Sequence, residues 1–224
     1  MLEMEQLRAM LIELGMARAA EILEAKLTSA TEASSSYVAF STDLLGHELS
    51  SRRQRAHEVR MRVAGLPYKK LISDFDFSWC PSIDRQVIDD LCSLAFVASA
   101  SNVVLLGPPG TGKSHLALGL AIEALKGGYS VYFTTLSRIA DDLSYGTSGA
   151  KYRKYIKPKV LVIDEVGYRA IDRAAANAFF EVIAARYETG AVILTSNKGF
   201  GKAHMFTRTY ARKHLKFTGS VCLG

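Results

Sequence analysis

Gly107-Pro108-Pro109-Gly110-Thr111-Gly112-Lys113-Ser114 decides the fold of this 224-residue chain. The stretch has the form G-x-x-x-x-G-K-[ST], a loop that wraps a chain of phosphates with main-chain N–H donors. Several donors converge on one dense anion only where side chains stay out of the way, which is why glycine recurs at 107, 110 and 112. The flanks suit the motif. Val103-Val104-Leu105-Leu106 reads as a buried strand, and His115 to Lys126 carries Leu116, Leu120, Ala121 and Leu125 at helical spacing. That geometry aims a helix N-terminus at the phosphates, brings Lys113 to their β and γ groups and offers the Ser114 hydroxyl to Mg²⁺. Residues 107 to 115 are therefore the expected nucleotide contacts, His115 included.

Working outward, Val160-Leu161-Val162-Ile163-Asp164-Glu165 reads as a central parallel strand delivering two carboxylates. Ligands of open α/β sheets sit beyond the carboxyl ends of the strands. Asp164 is expected to hold Mg²⁺ through water, and Glu165 to orient and deprotonate an attacking water. Such a pair also serves as a helix cap, and its place downstream of a phosphate loop favours the chemistry. Ala191-Val192-Ile193-Leu194-Thr195 is a third strand, ending in Ser196-Asn197. The Asn197 amide suits the water or the γ-phosphate, although Ser-Asn is also a common turn pair. The expected fold is α/β, a P-loop nucleoside triphosphatase with a parallel sheet flanked by helices, with ATP and Mg²⁺ as cofactors and Lys113, Glu165 and Asn197 as the catalytic set.

The rest of the chain is read around this core. Residues 5–27 carry Leu7, Leu11, Leu14, Ile22 and Leu27 among charges and predict one amphipathic helix. The Ser- and Thr-rich stretch 28–36 reads as a loop, and 43–64 as one or two further helices. Gly65-Leu66-Pro67 breaks the pattern, dividing a helical unit at 1–66 from a nucleotide core at 67–202. The aromatics of Asp74-Phe75-Asp76-Phe77 suit packing on the core better than stacking on adenine. Residues 83–98 read as a helix leading to the phosphate-loop strand, and 129–134 as a strand.

Net charge is +6. Residues 52–62 hold Arg52, Arg53, Arg55, Arg60 and Arg62 against one acid, Glu58, and 198–224 hold Lys198, Lys202, Arg208, Arg212, Lys213 and Lys216 against none. Such clusters suit a polyanion, and equally a solvated helix face. No stretch approaches the roughly 18 apolar residues of a membrane span. The N-terminus lacks a basic-then-apolar leader, and three scattered cysteines fit reduced thiols, so a cytoplasmic protein is expected.

Taken together, Asp74-Phe75-Asp76-Phe77, the run 103–118, Tyr132-Phe133-Thr134-Thr135, Val162 to Tyr168, Arg186-Tyr187-Glu188 and Leu194-Thr195-Ser196-Asn197 resemble the IstB-like family over about residues 5–202. These are ATP-binding helpers encoded beside the transposase of bacterial insertion sequences and related to the DnaC helicase loader. The resemblance implies an AAA+ fold with a small helical N-terminal domain, binding to double-stranded DNA, ATP-dependent assembly into a homo-oligomer, and delivery or activation of the element's transposase. It assigns residues 107–114 to Walker A, Asp164 and Glu165 to Walker B and Asn197 to the first sensor. It also favours Arg52, Arg53 and Arg55 as DNA contacts. A replicative helicase loader is the alternative, and a remnant with little ATPase activity a further one. Family members continue after the equivalent of Lys202 with a helix bearing Leu-Asp-Arg-Leu, whose arginine reaches a neighbouring subunit's nucleotide. Here 203–224 is a basic tail without that motif, which reads as a shifted frame or decayed copy and implies ATP binding with weak turnover.

Overall fold

The computed structural model describes residues 2–143, 149–165, 173–197 and 217–222, with 173–175 and 217–222 described by backbone alone. Residues 166–172, which hold Val166-Gly167-Tyr168, and 198–216, which hold Arg208 and Arg212, lie outside the described residues. The chain divides into two compact units, Met1–Val59 and Arg60–Gly224.

The first unit is built from helices α1 (Leu2–Glu13), α2 (Ala17–Glu32) and α3 (Tyr37–Val63), whose last turn belongs to the second unit. Leu11, Ala19, Ala20, Leu23 and Leu44 form its small core. The single helix expected over 5–27 is broken at Gly15, which takes φ +71° and lets the chain reverse between α1 and α2. The loop expected over 28–36 is mostly helix. Thr28, Ser29 and Thr31 donate their hydroxyls to the carbonyls of Glu24, Ala25 and Leu27 one turn back, so these loop-favouring side chains are satisfied inside α2. Helix α2 has no side-chain cap of its own. Its free N–H groups at Arg18 and Ala19 instead donate to the Glu48 carboxylate of α3 at 2.9 and 3.0 Å.

In the second unit the strands β1 (Asn102–Leu106), β2 (Val131–Thr135), β3 (Val160–Asp164), β4 (Ala191–Ser196) and β5 (Phe217–Cys222) form one sheet in the order β2-β3-β4-β1-β5. Every pairing is parallel. Side chains alternate across the sheet. Val103, Leu105, Val160, Val162, Ala191 and Ile193 enter one core with helix α6 (Lys113–Lys126), while Val104, Leu106, Leu161, Ile163, Val192 and Leu194 enter another. Both faces are covered, as a parallel sheet requires. Helix α6 is apolar nearly all round, and Leu116, Leu118, Leu120 and Leu125 are fully buried. Gly119 belongs there because a Cβ would come within 2.9 Å of Ile72 Cγ1.

The helix expected over 83–98 is two, α4 (Arg85–Cys92) and α5 (Ala95–Ala98), separated where Leu94 takes φ +62°. Asp84 caps α4 by accepting from Gln86 N at 2.8 Å. Helices α7 (Leu136–Leu143), α8 (Gly149–Ile156) and α9 (Arg173–Ala185) cover the second face. Asp142 of α7 accepts from Lys154 and from the Tyr155 hydroxyl of α8, each at 2.5 Å. Burial, then the hydrogen bond to Asp142, pushes the Tyr155 hydroxyl up. Arg186 is almost wholly buried and donates to the carbonyls of Tyr155, Ile156, Lys159 and Ala191. Burial lowers its pKa to about 10. The fork geometry of a guanidinium lets one side chain tie the end of α8 to the starts of β3 and β4. Within the stretch expected as a tail, Phe217–Cys222 supplies β5 beside β1. Among the described residues no helix is long and apolar enough to cross a membrane.

Candidate nucleotide-binding site

The carboxyl ends of β1, β3 and β4 open on one cleft of about 350 Å³. It is lined by Pro109, Gly110, Gly112, Lys113, Ser114 and His115 of the loop and α6, by Asp164, Glu165, Thr195 and Asn197 of the strand ends, and by Tyr68. The two motifs that sequence spacing separated are thus one site. Ser114 Oγ donates to Asp164 Oδ1 at 2.9 Å across the fifty residues between them.

The loop's curvature has local causes. Gly110 and Gly112 take φ +85° and +82°, where other residues are strained, and Gly112 turns the chain into α6. A Cβ on Gly112 would overlap the ring of Phe75, which packs edge-on against Phe77 and His115 at centroid distances of 4.9 and 5.2 Å. Phe75 and Phe77 both pack on the core, as expected. Gly107 N donates to Ser196 O at 3.2 Å, fixing the start of the loop to β4. Pro108 O accepts from Lys113 Nζ at 2.5 Å and from the Thr111 hydroxyl at 2.9 Å. Gly107, Pro108 and Thr111 shape the loop through these bonds, and Pro109, Gly110 and Gly112 line the cleft. The His115 side chain is also engaged elsewhere. A carbonyl only accepts, so Nε2 donates to Leu71 O at 2.8 Å.

Lys113 is buried, with its ammonium held over the loop. Burial pulls its pKa down, and the negative charge of Asp164 pushes back. Thr195, which sequence reasoning assigned no role, is the junction of the acidic end. Its hydroxyl donates to Asp164 Oδ1 and accepts from Glu165 N at 3.0 Å. Glu165 takes φ +60°, a conformation few non-glycine residues adopt, and that bond holds it there. The main-chain donors, the buried cation and the cleft's size fit a nucleoside triphosphate. For Mg²⁺ the protein offers two oxygens, Ser114 Oγ and Asp164, which suits an ion that keeps several waters and takes its remaining ligands from phosphate. Tyr68 was also missed, and its one signal was its place just after the Gly65-Leu66-Pro67 break.

The three arginines expected at DNA lie on α3 of the first unit, all exposed. They are not equivalent. Arg52 donates to Glu48 Oε1 at 2.9 Å and to the Gly15 carbonyl at 3.3 Å, bracing the turn between α1 and α2. Arg55 donates to Ser51 Oγ at 2.9 Å and stands 3.9 Å from Glu48. Arg53 is exposed and has no ion pair among the described residues.

Residues 9–210 match the family profile described as IstB-like ATP-binding protein. The chain belongs to the IstB-like family. Its match runs past Lys202, where the resemblance was expected to stop. Among its relatives is a protein named as an ATP-binding protein of insertion sequence IS21 from Pseudomonas aeruginosa, 38% identical over 201 residues, covering 88% of this chain and 76% of the relative. Another, from insertion sequence IS5376 of Geobacillus stearothermophilus, is 41% identical over 171 residues, covering 75% and 68%. Among solved structures the DnaC helicase loader superposes with a TM-score of 0.53 at 16% identity, over 62% of this chain and 87% of that one. AMPPCP-bound DnaA from Aquifex aeolicus gives 0.54 at 18%, over 71% and 51%. These likenesses establish the fold of this IstB-like chain as the P-loop AAA+ type, and the family match makes it an ATP-binding protein associated with insertion sequences.

Proposed function

We propose that this IstB-like protein is an AAA+ ATPase that binds double-stranded DNA and assists the transposase of its element. The observation that carries the nucleotide half is the Ser114 to Asp164 hydrogen bond, which joins the phosphate loop to the acidic strand end in one cleft. Lys113 neutralises the β and γ phosphates, and the main chain of 107–115 cradles the rest. Ser114 and Asp164 would hold Mg²⁺, and the ion would supply charge neutralisation at the phosphates. Glu165 orients the attacking water and takes its proton. Asn197, on the same cleft, holds that water or the γ-phosphate.

The transposition half is supported by the names of the relatives, which place them in insertion sequences, and by the exposed arginines of α3. The likeness to DnaC supports a fold and no particular partner. The site is proposed to work in an ATP-dependent homo-oligomer. Calorimetry with Mg-ATP, a phosphate-release assay and duplex binding with and without ATP test the reading together. The expected result is ATP binding, hydrolysis, and salt-sensitive duplex binding that needs ATP and is lost with Lys113→Ala. Duplex binding indifferent to both ATP and Lys113 would overturn it.

A further inference from the structure

We propose that Tyr68 is the platform on which the base of the bound nucleotide stacks, so that the cleft recognises a nucleobase as well as a phosphate chain. The proposal rests on the nucleotide reading of the cleft and adds to it the source of base affinity. Most of the other wall residues offer phosphate, metal or water chemistry: main-chain donors, Lys113, Ser114, Asp164, Glu165, Thr195 and Asn197. Tyr68 and His115 are the aromatic side chains on that wall among the described residues; the His115 ring is engaged by Phe75 and Leu71 O, and Tyr68 is 51% exposed. A half-exposed flat ring beside phosphate-binding groups suits a π-faced ligand.

The neighbouring aromatics are already committed. Phe75 closes over Gly112 and packs on Phe77 and His115, and Phe77 lies 5.5 Å under the Arg85 guanidinium. Tyr68, by contrast, rides on a strap pinned at both ends. On one side Ala64 O accepts from Phe133 N at 2.8 Å, Gly65 turns with φ +65°, and Leu66 packs on the core. On the other, Leu71 O accepts from His115 and Leu71 N donates to Asp74 Oδ2 at 3.2 Å. A ring on a pinned strap loses little freedom when a ligand settles on it.

The strap's anchor fixes which end of the nucleotide Tyr68 meets. His115 follows Ser114 at the start of α6, where the main chain cradles the α and β phosphates, and the sugar and base leave from the α end. Asp164, Glu165 and Asn197, at the tips of β3 and β4, serve the γ end. Stacking tolerates any base with a π-face, so Tyr68 contributes to ATP and GTP alike.

The test is calorimetry on the full chain with Mg²⁺ and three probes, ATP, GTP and inorganic tripolyphosphate, for wild type, Tyr68→Ala, Tyr68→Phe and Lys113→Ala. Tyr68→Ala is expected to weaken ATP and GTP by roughly 5- to 150-fold and to leave tripolyphosphate unchanged. Tyr68→Phe keeps the ring and should bind as wild type, while Lys113→Ala weakens all three probes. The proposal is overturned if Tyr68→Ala leaves ATP affinity intact, or weakens tripolyphosphate as much as ATP. Lys113→Ala without effect on any probe would instead bring down the underlying nucleotide reading.

Discussion

Thr195 shows how much chemistry a single hydroxyl can organise. By accepting from Glu165 N and donating to Asp164, it fixes both acids with one oxygen and holds Glu165 in a left-handed conformation. Thr195→Val keeps the shape and removes the junction. Its expected signature is a fall in ATP turnover of roughly 10²-fold, the scale set by misplacing a catalytic group, with ATP affinity retained. Thr195→Ser should restore turnover, and a binding titration run beside the phosphate-release assay reads the split. Gly112 is the converse case, a residue defined by what it lacks. A methyl there meets the Phe75 ring and a backbone conformation that disfavours any side chain. Gly112→Ala is expected to weaken ATP binding by about tenfold or more, equivalent to about 1.4 kcal/mol.

Among elements, the start of α2 is the most exacting. Burial alone would raise the pKa of Glu48, yet hydrogen bonds from Ala19 N, Arg52 and Arg18 N outweigh it and hold the carboxyl below the usual carboxylate range. A group depressed in the folded state stabilises above its ordinary pKa, about 4.3 for glutamate, and that contribution is lost as pH falls through the lower folded value. Thermal melts followed by helical circular dichroism should therefore show wild type losing stability below about pH 4.3. Glu48→Gln, lower by about 1–3 kcal/mol at neutral pH, should lose less over the same interval. Helix α6 is governed by packing alone. Leu120→Ala removes a fully buried side chain from the core beneath the phosphate loop, and denaturant unfolding should report a loss of about 2–5 kcal/mol.

On the scale of the whole molecule, the α/β architecture was legible because its strands are short apolar runs ending in motif residues, and the loop's glycines name their own geometry. Legibility failed at the boundaries of helices, where local bonding and backbone dihedrals decide against composition. The hydroxyls of Thr28, Ser29 and Thr31 bond back along their own helix, and Gly15 and Leu94 break helices through backbone dihedrals that composition does not announce. The motif marks 107–115 as one loop, but lining and shaping are different tasks, and only coordinates separate Pro109 and Gly110 from Pro108 and Thr111. Charge behaves likewise, since a sequence counts arginines without showing which are spent. For duplex binding, Arg53→Ala should lower the salt slope by about 0.9 per lost phosphate contact without changing the melting temperature. Arg52→Ala should lower the melting temperature as well, because it also unbraces the turn at Gly15. Salt titrations and melts on both variants separate the two.

The edge of Phe75 against Gly112 makes the loop's curvature depend on a stretch of chain outside the motif. Limited proteolysis exploits that dependence. A single nick between Pro67 and Trp79 leaves every phosphate-facing residue uncut, yet it should silence the loop, and a saturating nucleotide should in turn shield that stretch from the protease.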